Sequence, residues 1–278
     1  MKHCIALLIV ILVTATPVFA GTQENTQSGS LLDEDYQASF DEVKPLDALW
    51  DDIWTLPDVI EENTVEILDN PDYVNALLMA GGASIAMHAS GADDDIADNF
   101  EDHQALRDDW ADEGTYLVGG PGFHFAATGL WYLFSHANQD EINKKNAWTM
   151  MKALSVTGFW TLTAKVIRNN DTPNGKDLAW PSGHTSSSFT VAAVLDELYG
   201  PNVGIPAYLG AGFVGFRMMD SGDHWGSDVV FGAVLGYIVG HHVAGEDKLP
   251  QVGGFDVIPF SGVDGKEEYM GIGLHRRF

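Results

Sequence analysis

Between residues 72 and 245 apolar side chains recur at three- and four-residue intervals, the spacing that places them on one face of an α-helix. Glycine, proline and polar clusters interrupt that pattern and divide it into seven predicted helices, at 72–89, 92–113, 122–137, 140–168, 184–199, 206–219 and 227–244. Glycines repeat inside the last two (Gly210, Gly212, Gly215, then Gly232, Gly236, Gly240), where the missing side chains let helices approach closely. No run of about eighteen uninterrupted apolar residues occurs, and ionisable residues stand in or at the ends of the best segments. Upstream, residues 40–70 mix acids with Trp50, Ile53, Trp54, Leu56 and Ile60, a pattern for short amphipathic helices packed on the outside of the main domain. Downstream the period changes: 255–260 and 268–278 alternate like strands, and Asp264-Gly265 between them is a hairpin turn signal. The expected fold class is all-α, a helical bundle with a short C-terminal β-hairpin.

The first twenty residues read as a secretory signal peptide. Lys2 precedes an unbroken apolar run over residues 5–13, with Val18 and Ala20 as small residues before Gly21. The expected organisation is a leader at 1–20, an acidic N-terminal extension at 21–70, a helical main domain at 71–245 and a β tail at 246–278. The single cysteine, Cys4, lies in the leader, so the mature chain has neither disulfides nor thiolate chemistry. A periplasmic or secreted location is expected, with membrane association as the alternative.

The formal net charge is −26 over 278 residues, from 40 acids against 14 Lys and Arg. Such a surface repels nucleic acid and polyphosphates at long range, so any phosphate site must concentrate a few bases locally. That makes the positions of the lysines and arginines informative.

Three clusters in the second half carry chemistry. The first is Lys165, closing a long helix, with Arg168 one turn on and Thr172-Pro173 after it. The second is Trp180-Pro181-Ser182-Gly183-His184, leading into an apolar helix. Pro181 restricts entry to the turn, Gly183 permits close approach of a ligand, and the helix start offers unpaired N–H groups to an anion. The third is Arg217 with His224 and Asp228, the last two four residues apart at a helix start and so on one face. A carboxylate beside an imidazole fixes its tautomer and raises its basicity, leaving the other nitrogen able to attack an electrophile. Taken alone, such a pair more often serves as a structural hydrogen bond, and a zinc site, the further alternative, needs a third ligand and a tetrahedral convergence that the spacing does not supply.

Together the clusters resemble the type 2 phosphatidic acid phosphatase (PAP2) family, which shares its fold with class A acid phosphatases and vanadium haloperoxidases. The family pattern is Lys-x6-Arg-Pro, Pro-Ser-Gly-His and Ser-Arg-x5-His-x3-Asp. Lys165, Pro173, the whole of Pro181 to His184, Arg217, His224 and Asp228 match it in order. Thr172 stands where the pattern has Arg, Phe216 where it has Ser, and six residues instead of five separate Arg217 from His224. Arg168 and Lys176 are the nearest bases able to replace the missing guanidinium. The resemblance implies a helical bundle of the PAP2/haloperoxidase type and a phosphatase acting on a phosphorylated small molecule or a lipid phosphate. It further implies that His224 attacks phosphorus, Asp228 orients it, and His184 protonates the leaving alcohol. Lys165, Arg217, the Ser182 hydroxyl and the Gly183 N–H would hold the phosphate oxygens, without metal or other cofactor. Contact with a membrane surface is left open, and no nucleic-acid partner is expected. The alternatives within the resemblance are a vanadate-dependent haloperoxidase and a non-catalytic binder of phosphate or lipid head groups.

Three further features are read as structural. The run Asp93-Asp94-Asp95 with Asp98, Glu101 and Asp102 is taken as a solvated acidic helix face. His241-His242 is taken as a partner for the C-terminal dipole of the last helix. His124, after Gly119-Gly120-Pro121-Gly122, is either a pocket residue or a satisfied core histidine.

Overall fold

Asn70 begins the main body of the molecule by capping a helix: its side-chain oxygen accepts the N–H groups of Asp72 and Tyr73, and Pro71 fills the first helical position. The computed structural model describes residues 44–105, 109–245, 251–252, 255–264 and 267–275, with side chains over 44–105 and 114–245. The leader at 1–20 and residues 21–43 of the acidic extension lie outside these residues. In chain order the helices are α1 (Pro45–Ile53), α2 (Leu56–Asp69), α3 (Pro71–Ser90), α4 (Ala92–Asp102), α5 (Asp109–Val118), α6 (Pro121–Ala137), α7 (Glu141–Arg168), α8 (Gly183–Tyr199), α9 (Pro201–Asp220) and α10 (Gly226–Ala244). Over the helical region the fold is all-α. Beyond α10 the backbone of β1 (Gln251–Val252) and β3 (Glu267–His275) flanks β2 (Phe255–Asp264) in antiparallel pairs, and the turn at 265–266 lies outside the described residues.

Two expected helices change. The segment 92–113 is not one helix: α4 ends where His103 leaves helical geometry at φ −131° and ψ 46°. The chain is drawn away there because the Ala105 N–H donates to Asp220 Oδ1 at 2.8 Å, a bond to a distant helix that outweighs local continuation. The helix expected from Pro206 starts five residues earlier, at Pro201 after Gly200. Pro206 sits inside it at the cost of one backbone bond.

The core forms around α7, α8 and α10. Ile67 of α2, Tyr73, Ala76, Leu77 and Ala80 of α3, and Val156 of α7 pack against Phe231, Leu235, Ile238 and Val239 of α10. Met150, Ala153 and Leu154 of α7 meet Val194 of α8 in a second cluster. The glycines of α10 explain how α8 comes so near. A Cβ on Gly232 would stand 2.8 Å from the Ser182 carbonyl oxygen, and one on Gly240 only 2.5 Å from Ala193 Cβ. Hydroxyl pairs tie α7 to α8 across the same interior, Thr157 to Thr190 at 2.7 Å and Thr161 to Ser186 at 3.0 Å. These buried polar groups need such partners. α10 is long and apolar enough to cross a membrane, but more than half of that stretch is buried within the protein, as in a core helix.

Candidate active site

Ser182 caps α8, its Oγ accepting the Thr185 N–H at 3.3 Å and the Thr185 hydroxyl at 3.0 Å. Its own N–H donates to the carbonyl oxygen of Asp228 at 3.1 Å. The start of α8 and the first turn of α10 are therefore stitched together directly, which brings the second and third clusters to one place. The Ser182 hydroxyl, expected as a phosphate donor, is fully buried and has this capping task, with its own proton still available to donate.

On α10, Asp228 is wholly buried, and its Oδ2 lies 3.1 Å from His224 Nδ1 and accepts the Trp225 N–H at 3.1 Å. The carboxylate thereby fixes a hydrogen on Nδ1 and leaves Nε2 with its lone pair. The His224 backbone is held as well, because its N–H donates to the Met218 carbonyl at 2.9 Å, one residue after Arg217. Asp228 and His224 gather no third potential metal ligand: no cluster of three or more His, Cys, Asp or Glu able to hold a metal exists among the described residues.

His184, on the first turn of α8, lies tilted against the Tyr116 ring with centroids 4.4 Å apart, and its Nε2 stands 3.1 Å from the Tyr116 carbonyl oxygen. A carbonyl only accepts, so Nε2 carries a hydrogen and Nδ1 is the nitrogen able to exchange a proton with a ligand. Burial pushes the His184 pKa below its ordinary 6.5, and the nearby His224 and Lys165 push the same way against the Tyr116 bond and Asp223. The two histidines, forty residues apart in the chain, are thus close enough to feel each other's charge.

Lys165 closes α7, and its ammonium donates to the carbonyl oxygens of Leu178 and, at 3.0 Å, Ala179. This holds the segment that enters Pro181. Its side chain runs past Gly183, where a Cβ would meet Lys165 Cε at 3.9 Å. Desolvation lowers its pKa to about 8 although Asp228 pulls it back up. Arg217, on the last turn of α9, is 1% exposed and donates through Nη1 to Asp220. The structure thus brings Lys165, Gly183, His184, His224 and Asp228 into one electrostatic neighbourhood, and gives Arg217 an acidic partner that its i,i+3 spacing from Asp220 could have signalled.

The replacements considered for the missing guanidinium are otherwise engaged. Arg168 stacks over the Trp180 ring at 5.3 Å, and the Lys176 ammonium binds Asp223 Oδ1 at 2.6 Å. Thr172 is buried, its hydroxyl donating to Asn174 Oδ1 at 2.6 Å, while the Asn174 amide donates to Asp223 Oδ1 at 2.8 Å. Two of the departures from the family pattern, Thr172 and the extra residue before His224, are therefore one feature, a loop at 172–176 strapped to the longer loop at 221–223.

Two readings of other residues change. Asp93 is not solvated but 1% exposed, bonded to Ser227. His241 is buried between Glu197 Oε1 at 2.5 Å and the Tyr208 hydroxyl at 2.7 Å, so side chains bind it in place of the helix-end carbonyls. Burial, with the charge of His184 next in weight, lowers the His124 pKa to about 4 against a backbone hydrogen bond to Val118. Asp93, Tyr116, Asp220 and Asp223 escaped sequence reasoning; apart from Asp220, their partners are distant in the chain or nothing in a local pattern marks them.

Residues 158–245 match the model of the PAP2 superfamily. A 65-residue stretch is 37% identical to the lipid A 1-phosphatase of Porphyromonas gingivalis, covering 22% of this chain but 15% of that protein's length. Among solved structures, LpxE of Aquifex aeolicus is 21% identical with a TM-score of 0.43, over 52% of this chain and 91% of that one. The first transmembrane PAP2-type phosphatidylglycerolphosphate phosphatase from Bacillus subtilis is 20% identical with a TM-score of 0.49, over 63% and 94%. The segment that holds all three clusters, residues 158–245, is thus a PAP2 superfamily domain.

Proposed function

We propose that this protein hydrolyses phosphate monoesters or lipid (di)phosphates through a phosphohistidine, outside the cytoplasm. The observation that carries the reading is the buried His224–Asp228 pair, with Nε2 of His224 left as a nucleophile, in electrostatic reach of His184 and beside Lys165. In the first half, His224 Nε2 attacks phosphorus as the bond to the leaving oxygen breaks, and the proton on His184 passes to that oxygen. In the second, His184 takes a proton from water, the hydroxyl oxygen attacks phosphorus, and the P–N bond breaks to release phosphate and restore His224. Lys165 and the amide of Gly183, with the α8 N-terminus behind it, stabilise charge on the phosphoryl oxygens. Arg217 adds its guanidinium to that set when phosphate competes with Asp220 for it. The substrate class extends to lipids because the matched stretch belongs to a lipid A 1-phosphatase and because Tyr116, packed against His184, and the next residue, Leu117, are each more than half exposed. The extracytoplasmic setting rests on the leader-like residues 1–20.

The test is hydrolysis of a generic phosphate monoester by the purified mature chain. Turnover blocked by vanadate is expected, with a phosphoenzyme that survives alkali and is lost in acid. His224→Ala should lower kcat by about 10³-fold or more and abolish the phosphoenzyme. Binding of phosphate without turnover, unaffected by His224→Ala, would overturn the reading.

A further inference from the structure

The acidic run that opens α4 hides one carboxylate. Asp93 reaches the first turn of α10, where its Oδ1 accepts the Ser227 N–H at 2.9 Å and its Oδ2 accepts the Ser227 hydroxyl at 2.6 Å. The Ser227 carbonyl accepts the Ser84 hydroxyl of α3 at 2.8 Å, and the Ser84 oxygen in turn accepts the Trp180 indole N–H at 3.4 Å. Every polar group of Ser227 is therefore bound to the α3–α4 hairpin. Gly226, one residue earlier, is gripped by the same hairpin, since a Cβ there would stand 3.1 Å from Met87 Cε and 3.3 Å from Ile96 Cδ1. Ser227 is peptide-bonded to Asp228, the residue that fixes His224.

A buried ionised carboxylate is costly unless its oxygens are bonded, and a neutral side chain would cap a helix N-terminus at lower cost. An anion at this place has two effects. It binds the α10 N-terminus more tightly than a neutral group, because the bond is charge-assisted and aligned with the helix dipole. It also fixes both backbone and side chain of one residue, which removes rotation of the turn about the helix axis. Even a small rotation there would swing the Asp228 carboxylate away from His224 Nδ1, and bond geometry of that kind governs attack at phosphorus.

We infer that Asp93 is a positioning residue of the phosphatase site, acting through Ser227 to hold the Asp228 carboxylate on His224. It touches neither the substrate nor the reacting atoms. The inference rests on the reading of His224 as nucleophile, so hydrolysis by the unmodified protein and its loss in His224→Ala are measured first. If those fail, the reading of the reaction fails, and this inference with it.

Given an active protein, Asp93→Ala should lower kcat about 10- to 100-fold while KM changes by less than about twofold, because phosphate contacts are intact and only the nucleophile is misaligned. Asp93→Asn retains an acceptor for the Ser227 N–H and a donor toward its hydroxyl, and should recover most of that loss. Ser227→Ala removes one arm of the clamp and should fall between them. Melting temperature is followed for each variant, and if Asp93→Ala does not fold, Ser227→Ala and Asp93→Asn decide. Wild-type kcat in folded Asp93→Ala or, failing that, in Ser227→Ala would overturn the inference. So would an Asn variant as impaired as Ala, or losses confined to KM.

Discussion

At the scale of single residues, the site's two proton-bearing cations are both tuned downward, which sets a direction for its pH dependence. His184 must be protonated to donate to the leaving oxygen. Its pKa is held below 6.5 by burial first and by His224 second, so the competent fraction of free protein falls as pH rises through a value on the acid side of 6.5. Lys165 must be cationic to steady the phosphoryl oxygens. Desolvation brings its pKa to about 8, so its charge is lost across a range where an exposed lysine would keep it. On its alkaline side the expected profile of kcat/KM therefore falls first as His184 loses its proton and then more steeply above about pH 8. Lys165→Arg keeps a positive charge throughout and should remove the second fall while leaving the first, even if overall activity is lower. The comparison of the two profiles cancels ionisation of the substrate. An unchanged upper limb in Lys165→Arg would assign that fall to another group.

At the scale of elements, the strap between loop 172–176 and loop 221–223 decides what a change toward the family pattern would do. Thr172 is only 7% exposed, and besides bonding Asn174 its hydroxyl oxygen accepts the Lys176 N–H at 2.9 Å. An arginine there would lose both bonds and force a long cationic side chain into a buried loop. Thr172→Arg is therefore expected to lower kcat/KM, by roughly tenfold, and to lower the melting temperature by a few degrees. A gain in phosphate affinity with unchanged stability would mean that the new guanidinium reaches the anion and the strap is dispensable. The sequence pattern marks the missing base but not the bonds of the residue in its place. The same limit explains what was legible elsewhere. The starts of α8 and α10 could be read because Ser182 with Thr185, and His224 with Asp228, act over three or four residues. The Asp93–Ser227 clamp spans 134 residues, and the Tyr116 support of His184 spans 68, so no local period marks either. The break after α4 escaped for that reason too: it depends on Asp220, far along the chain.

At the scale of the whole molecule, an anionic substrate must approach a protein of net charge −26. The cations near the site do little to offset this at a distance. Arg217 is matched by Asp220, Lys176 by Asp223, and Lys165 stands beside Asp228. Each pair is close to neutral beyond a few ångströms, so the field met by an incoming dianion is the repulsive one of the surface. Salt shortens the range of that field, to about 10 Å at 0.1 M, and hardly affects contacts already formed in a buried site. Raising ionic strength from about 10 to 150 mM should therefore increase kcat/KM for a phosphate dianion, roughly two- to fivefold, through KM and with kcat nearly constant. A neutral or zwitterionic phosphate ester of similar size should show a smaller rise. The sign is the informative part, since a site whose cations were unpaired would attract its substrate and lose kcat/KM with added salt. A fall would mean that Arg217 or Lys176 leaves its carboxylate before the substrate arrives, and that the ion pairs are opened by the protein and not by competition with phosphate.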